Sequence, residues 1–155
     1  MEEYMTNAVV SFGDTMSTIP SFVGMGDFVT PEIFNWASNN PKIIYASSIV
    51  GRLMDDVASH KVLSFRILQE EHAVSEEEAC SELKKQVENA WKDINQDLIF
   101  SEISKVVPGP VLTPILNFTR VIDFLYKNGD GYTHVGKNTK DGITSLLIDP
   151  ISVSY

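Results

Sequence analysis

The chain is poor in cysteine and in basic residues, and it lacks long apolar runs. Its single cysteine, Cys80, excludes an internal disulfide and argues against a thiolate zinc site. Only 12 Lys and Arg oppose 21 Asp and Glu, and the formal charge of −9 argues against a nucleic-acid or anionic-membrane surface. No apolar run approaches the roughly 18 residues of a membrane span, and the acidic start MEEYMTN lacks the pattern of a signal or transit peptide. An acidic globular domain remains, and its charge is compatible with a site for divalent cations.

Helix signals dominate the sequence. Two segments place a capping residue before a proline at the first helical position, Thr30-Pro31-Glu32 and Asn40-Pro41. Ser75 and Glu78 form a capping box, and apolar residues recur behind it at helical spacing as far as Leu98. The helix that follows Ser75 is the best-defined local prediction in the chain.

The other expected elements complete a bundle of helices. One helix should run from Pro41 to Lys61, another should open at Thr113-Pro114, and DGITSLLIDPI should form a short closing helix after a loop from Tyr132 to Lys140. Four residues should kink or break the first helix: Gly13, Pro20, Gly24 and Gly26. No alternation of Val, Ile and Thr is long enough for a sheet. The predicted fold class is all-α, a helical bundle with short connections.

One face of the helix expected after Pro41 carries a cation, a carboxylate and a hydroxyl. At about 100° per residue, Arg52 and Ser59 fall within about 60° of Asp55, while Asp56 lies near the edge of that face. Magnesium prefers oxygen ligands and is commonly held by one or two carboxylates together with substrate phosphate oxygens, and an arginine suits phosphate. The same spacing also fits a solvated face on which Arg52 pairs with an aspartate. Spacing alone leaves both interpretations open.

The stretch RLMDDVASHK resembles the second metal-binding motif of plant class I terpene synthases, (N,D)Dxx(S,T)xxxE. Flanking segments resemble the same family in order, and the likeness is closest to cytosolic sesquiterpene synthases of the cadinene and germacrene type. These segments are EEYMTNAVVS, SFVGMGDFVT, NNPKIIYASSIVGRLMDDVASHK, VSEEEACSELKKQVENAWKDINQDL, LTPILNFTRVIDFLYKNGDGYTHVGK and ITSLLIDPI. The resemblance implies the C-terminal portion of the class I terpenoid synthase fold, with residues 1–155 as a partial metal-binding catalytic domain in the cytoplasm.

The resemblance implies roles for the residues that match the motif. Asp55 and Ser59 match the acid and the hydroxyl residue that bind one of three magnesium ions, with manganese as the alternative ion. Arg52 matches an arginine that contacts the diphosphate of a prenyl substrate. Together with Arg52, Asp55 is also expected to bind the substrate. The cadinene-like character favours farnesyl diphosphate as that substrate. The complete enzyme would then remove the diphosphate and cyclise the allylic cation.

The resemblance also implies a second set of residues, at the mouth of the cavity that holds the substrate in this family. Asp130 and Tyr132 match a loop that lines or caps it, and Tyr126 lies near a position where some relatives have a cavity tyrosine. We therefore expect these three residues to be catalytic. The segment Ser21-Phe22-Val23-Gly24 matches a kinked wall that faces the substrate.

Two departures from the family weigh against activity of this chain. Its aspartate-rich motif, DDxxD, does not occur in these 155 residues, and Leu63 stands where the second motif has its third ligand, a glutamate. The segment 62–73 does not resemble the family, which suggests a splice or frame difference. On a continuous helix, Glu70 and Glu71 would lie more than about 20 Å beyond Asp55.

Three interpretations follow from the resemblance and its departures. The chain is a fragment of a sesquiterpene cyclase, a non-catalytic remnant of a truncated or mis-spliced gene, or a helical interaction module. In the first two cases we expect little or no cyclase activity from the chain alone. A chain cut from a larger bundle should also expose apolar faces and self-associate through them.

Overall fold

The computed structural model describes residues 2–59, 75–100 and 103–148. Within these ranges the backbone forms helices and turns without a strand, and one isolated bridge joins Lys127 and Gly129. The helices are α1 (Glu2–Phe12), α2 (Asp14–Ser21), α3 (Pro31–Ser38), α4 (Lys42–Ser59), α5 (Glu76–Ile99), α6 (Ile103–Val106), α7 (Gly109–Tyr126) and α8 (Lys137–Leu147), with a 3-10 turn at Gly26–Phe28. The all-α prediction is confirmed. In this part of the chain, no helix is both long and apolar enough to cross a membrane.

The break between α1 and α2 lies at Gly13. Its φ of 80° is left-handed, a conformation that glycine adopts without the steric cost of a Cβ. The expected interruption of the first helix is therefore confirmed at this residue. Pro20 lies inside α2, which ends one residue later at Ser21.

Helix α4 lies at the centre of the packing and contacts α1, α2, α5 and α7. Its apolar residues Ile43, Ile44, Val50 and Leu53 are completely buried. Burial of a side chain of this size contributes about 1.5–3 kcal/mol. The residues of the candidate site follow on the C-terminal half of this same helix, so the best-packed element of the fold carries them.

The capping box at the start of α5 is confirmed. Glu78 N–H donates to Ser75 Oγ at 3.2 Å, and Ser75 N–H donates to Glu78 Oε2 at 2.8 Å. We expect Ser75→Ala to lower the free energy of unfolding by about 1 kcal/mol, because one N–H of the first turn loses its acceptor. Urea denaturation followed by circular dichroism measures this loss. Ser81→Ala, an exposed change inside the same helix, serves as the control, and equal stability of the two variants would contradict the prediction.

Two helix boundaries differ from the sequence prediction. Helix α7 begins at Gly109, four residues before the expected Thr113. The first helical turn needs no N–H donors, so Pro110 is tolerated there. Helix α8 runs over Lys137–Leu147, whereas a loop had been expected as far as Lys140. Its first turn forms from polar residues and closes with Lys140 N–H donating to the Gly136 carbonyl at 3.1 Å. The end of the predicted segment, residues 149–151, lies outside the described residues.

Candidate metal-binding and diphosphate-binding site

The C-terminal half of α4 places Arg52, Asp55 and Ser59 on one face, as their spacing predicted. Arg52 Nη2 lies 3.1 Å from Asp55 Oδ2, and the two side chains are 26% and 29% exposed. Both groups therefore remain accessible from solvent. A charge pair on this face could exchange its internal contact for a ligand.

Asp56 contributes to the same constellation in a way that the sequence did not reveal. Its side chain is 1% exposed, and its Oδ1 accepts a hydrogen bond from Arg52 Nε at 3.0 Å and a second from Arg52 Nη2. The interpretation of this acid pair as a solvated face is wrong for Asp56. Leu53, one turn earlier on α4, packs with Met5 and Val9 of α1, so neighbouring helices cover this side of α4.

The hydroxyl of Ser59 is buried, and it forms no hydrogen bond with any other residue that the structure describes. A buried polar group without a partner costs about 1–3 kcal/mol, so this oxygen fits a ligand position. With Asp55 it supplies the hard oxygen donors that magnesium prefers. No group of three His, Cys, Asp or Glu residues comes together in the described ranges, so any metal here would need further oxygens from water or substrate.

Tyr126 reaches this site from the last residue of α7. Burial raises the pKa of its phenol to about 12, and the charges of Asp55 and Asp130 and a hydrogen bond with Asp55 act in the same direction. The phenol is therefore protonated at neutral pH and can donate to the Asp55 carboxylate. The structure thus brings Tyr126 together with Asp55, although the two residues are far apart in the sequence.

Asp130 organises the turn that follows α7. Its Oδ1 accepts hydrogen bonds from the backbone N–H groups of Tyr132 at 3.1 Å and of Thr133 at 2.7 Å. A hydrogen bond from the Thr133 hydroxyl, with those of the backbone, holds the pKa of Asp130 below its usual value. The Tyr132 side chain is 71% exposed. Within this structure Asp130 shapes the loop, and Tyr132 extends from it into solvent.

An open cavity of about 910 Å³ lies between the end of α4 and the turn and helix that follow α7. Side chains of both charges line it, and the buried hydroxyl of Ser59 lies at its wall. The lining includes Ser59, Asp123, Lys127, Asp130, His134 and Lys137. His134 is exposed. The two lysines had not been predicted, because their proximity depends on the turn between α7 and α8.

A second polar cluster is buried where α2, α4 and α7 meet. Asp14 is 1% exposed, and its carboxylate accepts hydrogen bonds from Thr18 and Ser48 at 3.4 Å each. Thr119 Oγ1 donates to Ser47 Oγ at 2.8 Å. Burial raises the pKa of Asp14 to about 6, against hydrogen bonds from Ser47, Thr18 and Ser48 that lower it. Sequence reasoning missed this cluster, whose members are dispersed along the chain.

Several sequence predictions fall outside the described residues. They concern Leu63, Glu70 and Glu71, all within residues 60–74. The assignment of Leu63 to the third ligand position therefore rests on the sequence alone.

Comparison with known proteins identifies the family. Residues 1–93 match the family model described as terpene synthase family, metal binding domain. Sesquiterpene synthase 2 of Toona sinensis is 52% identical over 161 residues, which cover 99% of this chain and 28% of that protein. The (+)-delta-cadinene synthase isozyme XC14 of Gossypium arboreum is 49% identical over 98% of this chain, and the (−)-germacrene D synthase of Vitis vinifera is 47% identical over 99%. The chain belongs to the terpene synthase family.

These comparisons confirm the resemblance to terpene synthases and its likeness to sesquiterpene synthases in particular. It also agrees with the all-α fold and with a metal-binding role for the domain. The chain spans 28% of the length of each of these three relatives.

Proposed function

We propose that this chain supplies one metal-binding wall of a sesquiterpene cyclase that acts on farnesyl diphosphate in the cytoplasm. The observation that carries the proposal is the face of α4, where Arg52 and Asp55 lie beside the buried hydroxyl of Ser59, which has no hydrogen-bond partner in the described ranges. Residues 1–155 then form a partial C-terminal catalytic domain. The sesquiterpene synthases among its relatives support the choice of a fifteen-carbon substrate.

Asp55 and Ser59 would hold a magnesium ion, with manganese as the alternative. The ion would neutralise charge on the diphosphate and so assist its departure from the prenyl group. Asp55 supplies the negative charge, and Ser59 supplies a neutral oxygen to which no other described residue is hydrogen-bonded. The donor set is incomplete in this sequence, because Leu63 occupies the position of the third ligand.

Arg52 would bind the diphosphate. Its guanidinium remains charged under all ordinary conditions and its forked donors match phosphate oxygens. The 26% exposure of its side chain leaves it within reach of a ligand from solvent. Arg52 and the metal ligands would thus act on the same leaving group from one helix.

Tyr126, Asp130 and Tyr132 would act at the cavity mouth. The protonated phenol of Tyr126 lies against Asp55, where it can donate a proton or a hydrogen bond. Asp130 would hold the loop in shape through its backbone hydrogen bonds. Tyr132 would cover the cavity when the loop meets substrate, and its aromatic face suits a carbocation.

Titration with Mn²⁺ followed by electron paramagnetic resonance tests the metal site. We expect weak binding by the unmodified chain and weaker binding by Asp55→Asn and Ser59→Ala, since each loses a ligand. Leu63→Glu should tighten binding by about tenfold, or ~1.4 kcal/mol, by restoring the third oxygen donor. Asp93→Asn is the matched control, because Asp93 pairs with Lys42 at the opposite end of α4. Equal affinities for the Asp55 and Asp93 variants would refute the proposed site.

A non-catalytic remnant is the alternative, and Leu63 is the observation that favours it. A leucine cannot coordinate a metal, so this sequence carries an incomplete motif. We expect no magnesium-dependent turnover of farnesyl diphosphate by the purified 155-residue chain. Gas chromatography of the extracted hydrocarbons measures this, and a product that requires magnesium would overturn the expectation. Reading the coding sequence upstream distinguishes the two cases: an open frame with DDxxD supports the enzyme, and a stop supports the remnant.

Self-association of the isolated chain is part of the proposal. Helix α8 and the residue after it expose apolar side chains, among them Leu146 at 78% and Leu147 at 80%. Exposed apolar patches of this kind commonly mark contact surfaces.

A further inference from the structure

Asp56 has no part in the proposed metal and diphosphate contacts, yet it is the most buried group of the constellation. Its side chain is 1% exposed, against 29% for Asp55 and 26% for Arg52. A carboxylate withdrawn from water pays a desolvation cost that only close, well-oriented partners offset. The guanidinium of Arg52 provides such contacts.

Arg52 is held differently by its two acidic neighbours. Asp56 Oδ1 accepts hydrogen bonds from Arg52 Nε at 3.0 Å and from Arg52 Nη2, whereas Asp55 Oδ2 lies 3.1 Å from Nη2 as an ion pair. Two donors to one oxygen fix the plane of a guanidinium, while a single contact allows it to rotate. Of these two acids, the buried one therefore does more to fix the orientation of Arg52.

We propose that Asp56 is a positioning residue, which orients Arg52 toward a diphosphate and leaves Asp55 available to a metal ion. This inference rests on the proposed function of the same face. A cation on Asp55 competes with the single Arg52 contact to that carboxylate. Because Asp56 is buried, a ligand from solvent does not compete for its contact, and Arg52 keeps its place while Asp55 changes partner.

Removal of the Asp56 charge should weaken the ion pair with Arg52 and, because Arg52 is then less well oriented, should also weaken the binding of an anion. We expect Asp56→Asn to raise the Kd for inorganic pyrophosphate, measured by calorimetry in the presence of Mg²⁺, by about tenfold. Asp56→Glu should recover part of the loss, because it restores the carboxylate. Glu82→Gln is the matched control: it removes the acid of the exposed Glu82–Lys85 pair on α5 and should leave the Kd unchanged.

A double-mutant cycle separates positioning from a structural role. Arg52→Ala removes the anion ligand, so Asp56→Asn in that background should cause no further loss of pyrophosphate binding. A residue that merely supports the helix would add its own loss in either background. Additive losses would therefore overturn the positioning role.

The orientation of Arg52 can also be measured without a ligand. In the unmodified chain, the Nε–H of Arg52 should exchange with water at least about tenfold more slowly than that of the exposed Arg120, as followed by nitrogen-15 NMR, because a buried acceptor holds it. Asp56→Asn should remove this protection. If that variant does not fold, the comparison within the unmodified chain decides, and equal exchange rates overturn the inference.

The outcomes distinguish this inference from the function on which it rests. Absence of pyrophosphate binding by the unmodified chain would overturn the proposed function, and the role of Asp56 with it. Binding by the unmodified chain that Asp56→Asn leaves unchanged would overturn the role of Asp56 alone.

Discussion

Asp14→Asn should stabilise the chain at neutral pH by as much as about 3 kcal/mol. Burial raises the pKa of this carboxyl from 3.8 to about 6, and each unit corresponds to about 1.4 kcal/mol. The folded state thus holds the proton more tightly than the unfolded state does. Asparagine resembles the protonated acid in shape and never ionises, so it retains the stability that aspartate loses.

The sign of the pH dependence follows from the raised pKa. Well below 3.8, at about pH 3, the carboxyl is protonated in both states, and Asp14 carries no penalty. As the pH rises from about 4 to about 6, only the unfolded state releases its proton freely, so the contribution of Asp14 to stability falls. Above about 6 both states are ionised and the full penalty remains.

Chemical denaturation at a series of pH values measures this effect. The difference in unfolding free energy between Asp14→Asn and the unmodified chain should be near zero at about pH 3 and should reach its maximum by about pH 7. Other carboxyl groups contribute equally to both proteins and cancel. Asp27→Asn, an exposed acid in the first turn of the 3-10 segment, is the control and should show no such rise. A flat difference curve for Asp14→Asn would contradict the prediction.

Gly51→Ala should destabilise the chain by about 1–3 kcal/mol, although alanine is the better helix former. A Cβ at position 51 would overlap the ring of Phe12, which comes from the end of α1. The Phe12 ring also packs against Phe118 of α7, with 6.4 Å between ring centroids. Movement of Phe12 to relieve the overlap would therefore disturb the contact of α1 with α7 as well as with α4.

Thermal unfolding compares this substitution with a matched one. Gly109→Ala lies in the first turn of α7, where an added Cβ meets nothing within 4 Å, so it should be neutral or stabilising. Phe12→Leu in the Gly51→Ala background should recover part of the loss, because the smaller side chain makes room. Equal stability of the two alanine variants would show that the approach of Phe12 to α4 has no energetic consequence.

Local signals were sufficient for part of the fold. The capping box of Ser75 and Glu78 was predictable because both partners lie within one turn. The shared face of Arg52, Asp55 and Ser59 was predictable because the periodicity of a single helix determines it. The start of α7 was not, since Pro108-Gly109-Pro110 reads locally as a break, whereas a first helical turn tolerates residues that a helix interior does not.

Long-range packing decided the rest of the candidate site. The burial of Asp56 depends on the helices that cover that side of α4, and helical periodicity placed it only at an edge. The hydrogen bond from Ser48 to Asp14 spans 34 residues, and that from Thr119 to Ser47 spans 72. No local pattern contains such pairs. The resemblance implied only that Tyr126 lies near the cavity, and its proximity to Asp55 was not predicted because it needs α7 docked on α4.

The position of Arg52, Asp55 and Ser59 on a single helix also has a kinetic consequence. The three side chains lie within about two turns, so their mutual geometry exists as soon as α4 forms, an event of about a microsecond or less. The phenol of Tyr126 joins them only after closure of a loop that includes all of α5, a contact of high sequence separation. The face formed by Arg52, Asp55 and Ser59 therefore forms early in folding, and Tyr126 joins it late. If α7 did not dock, Tyr126 would be absent from the site, while Arg52, Asp55 and Ser59 would keep their relative positions on α4.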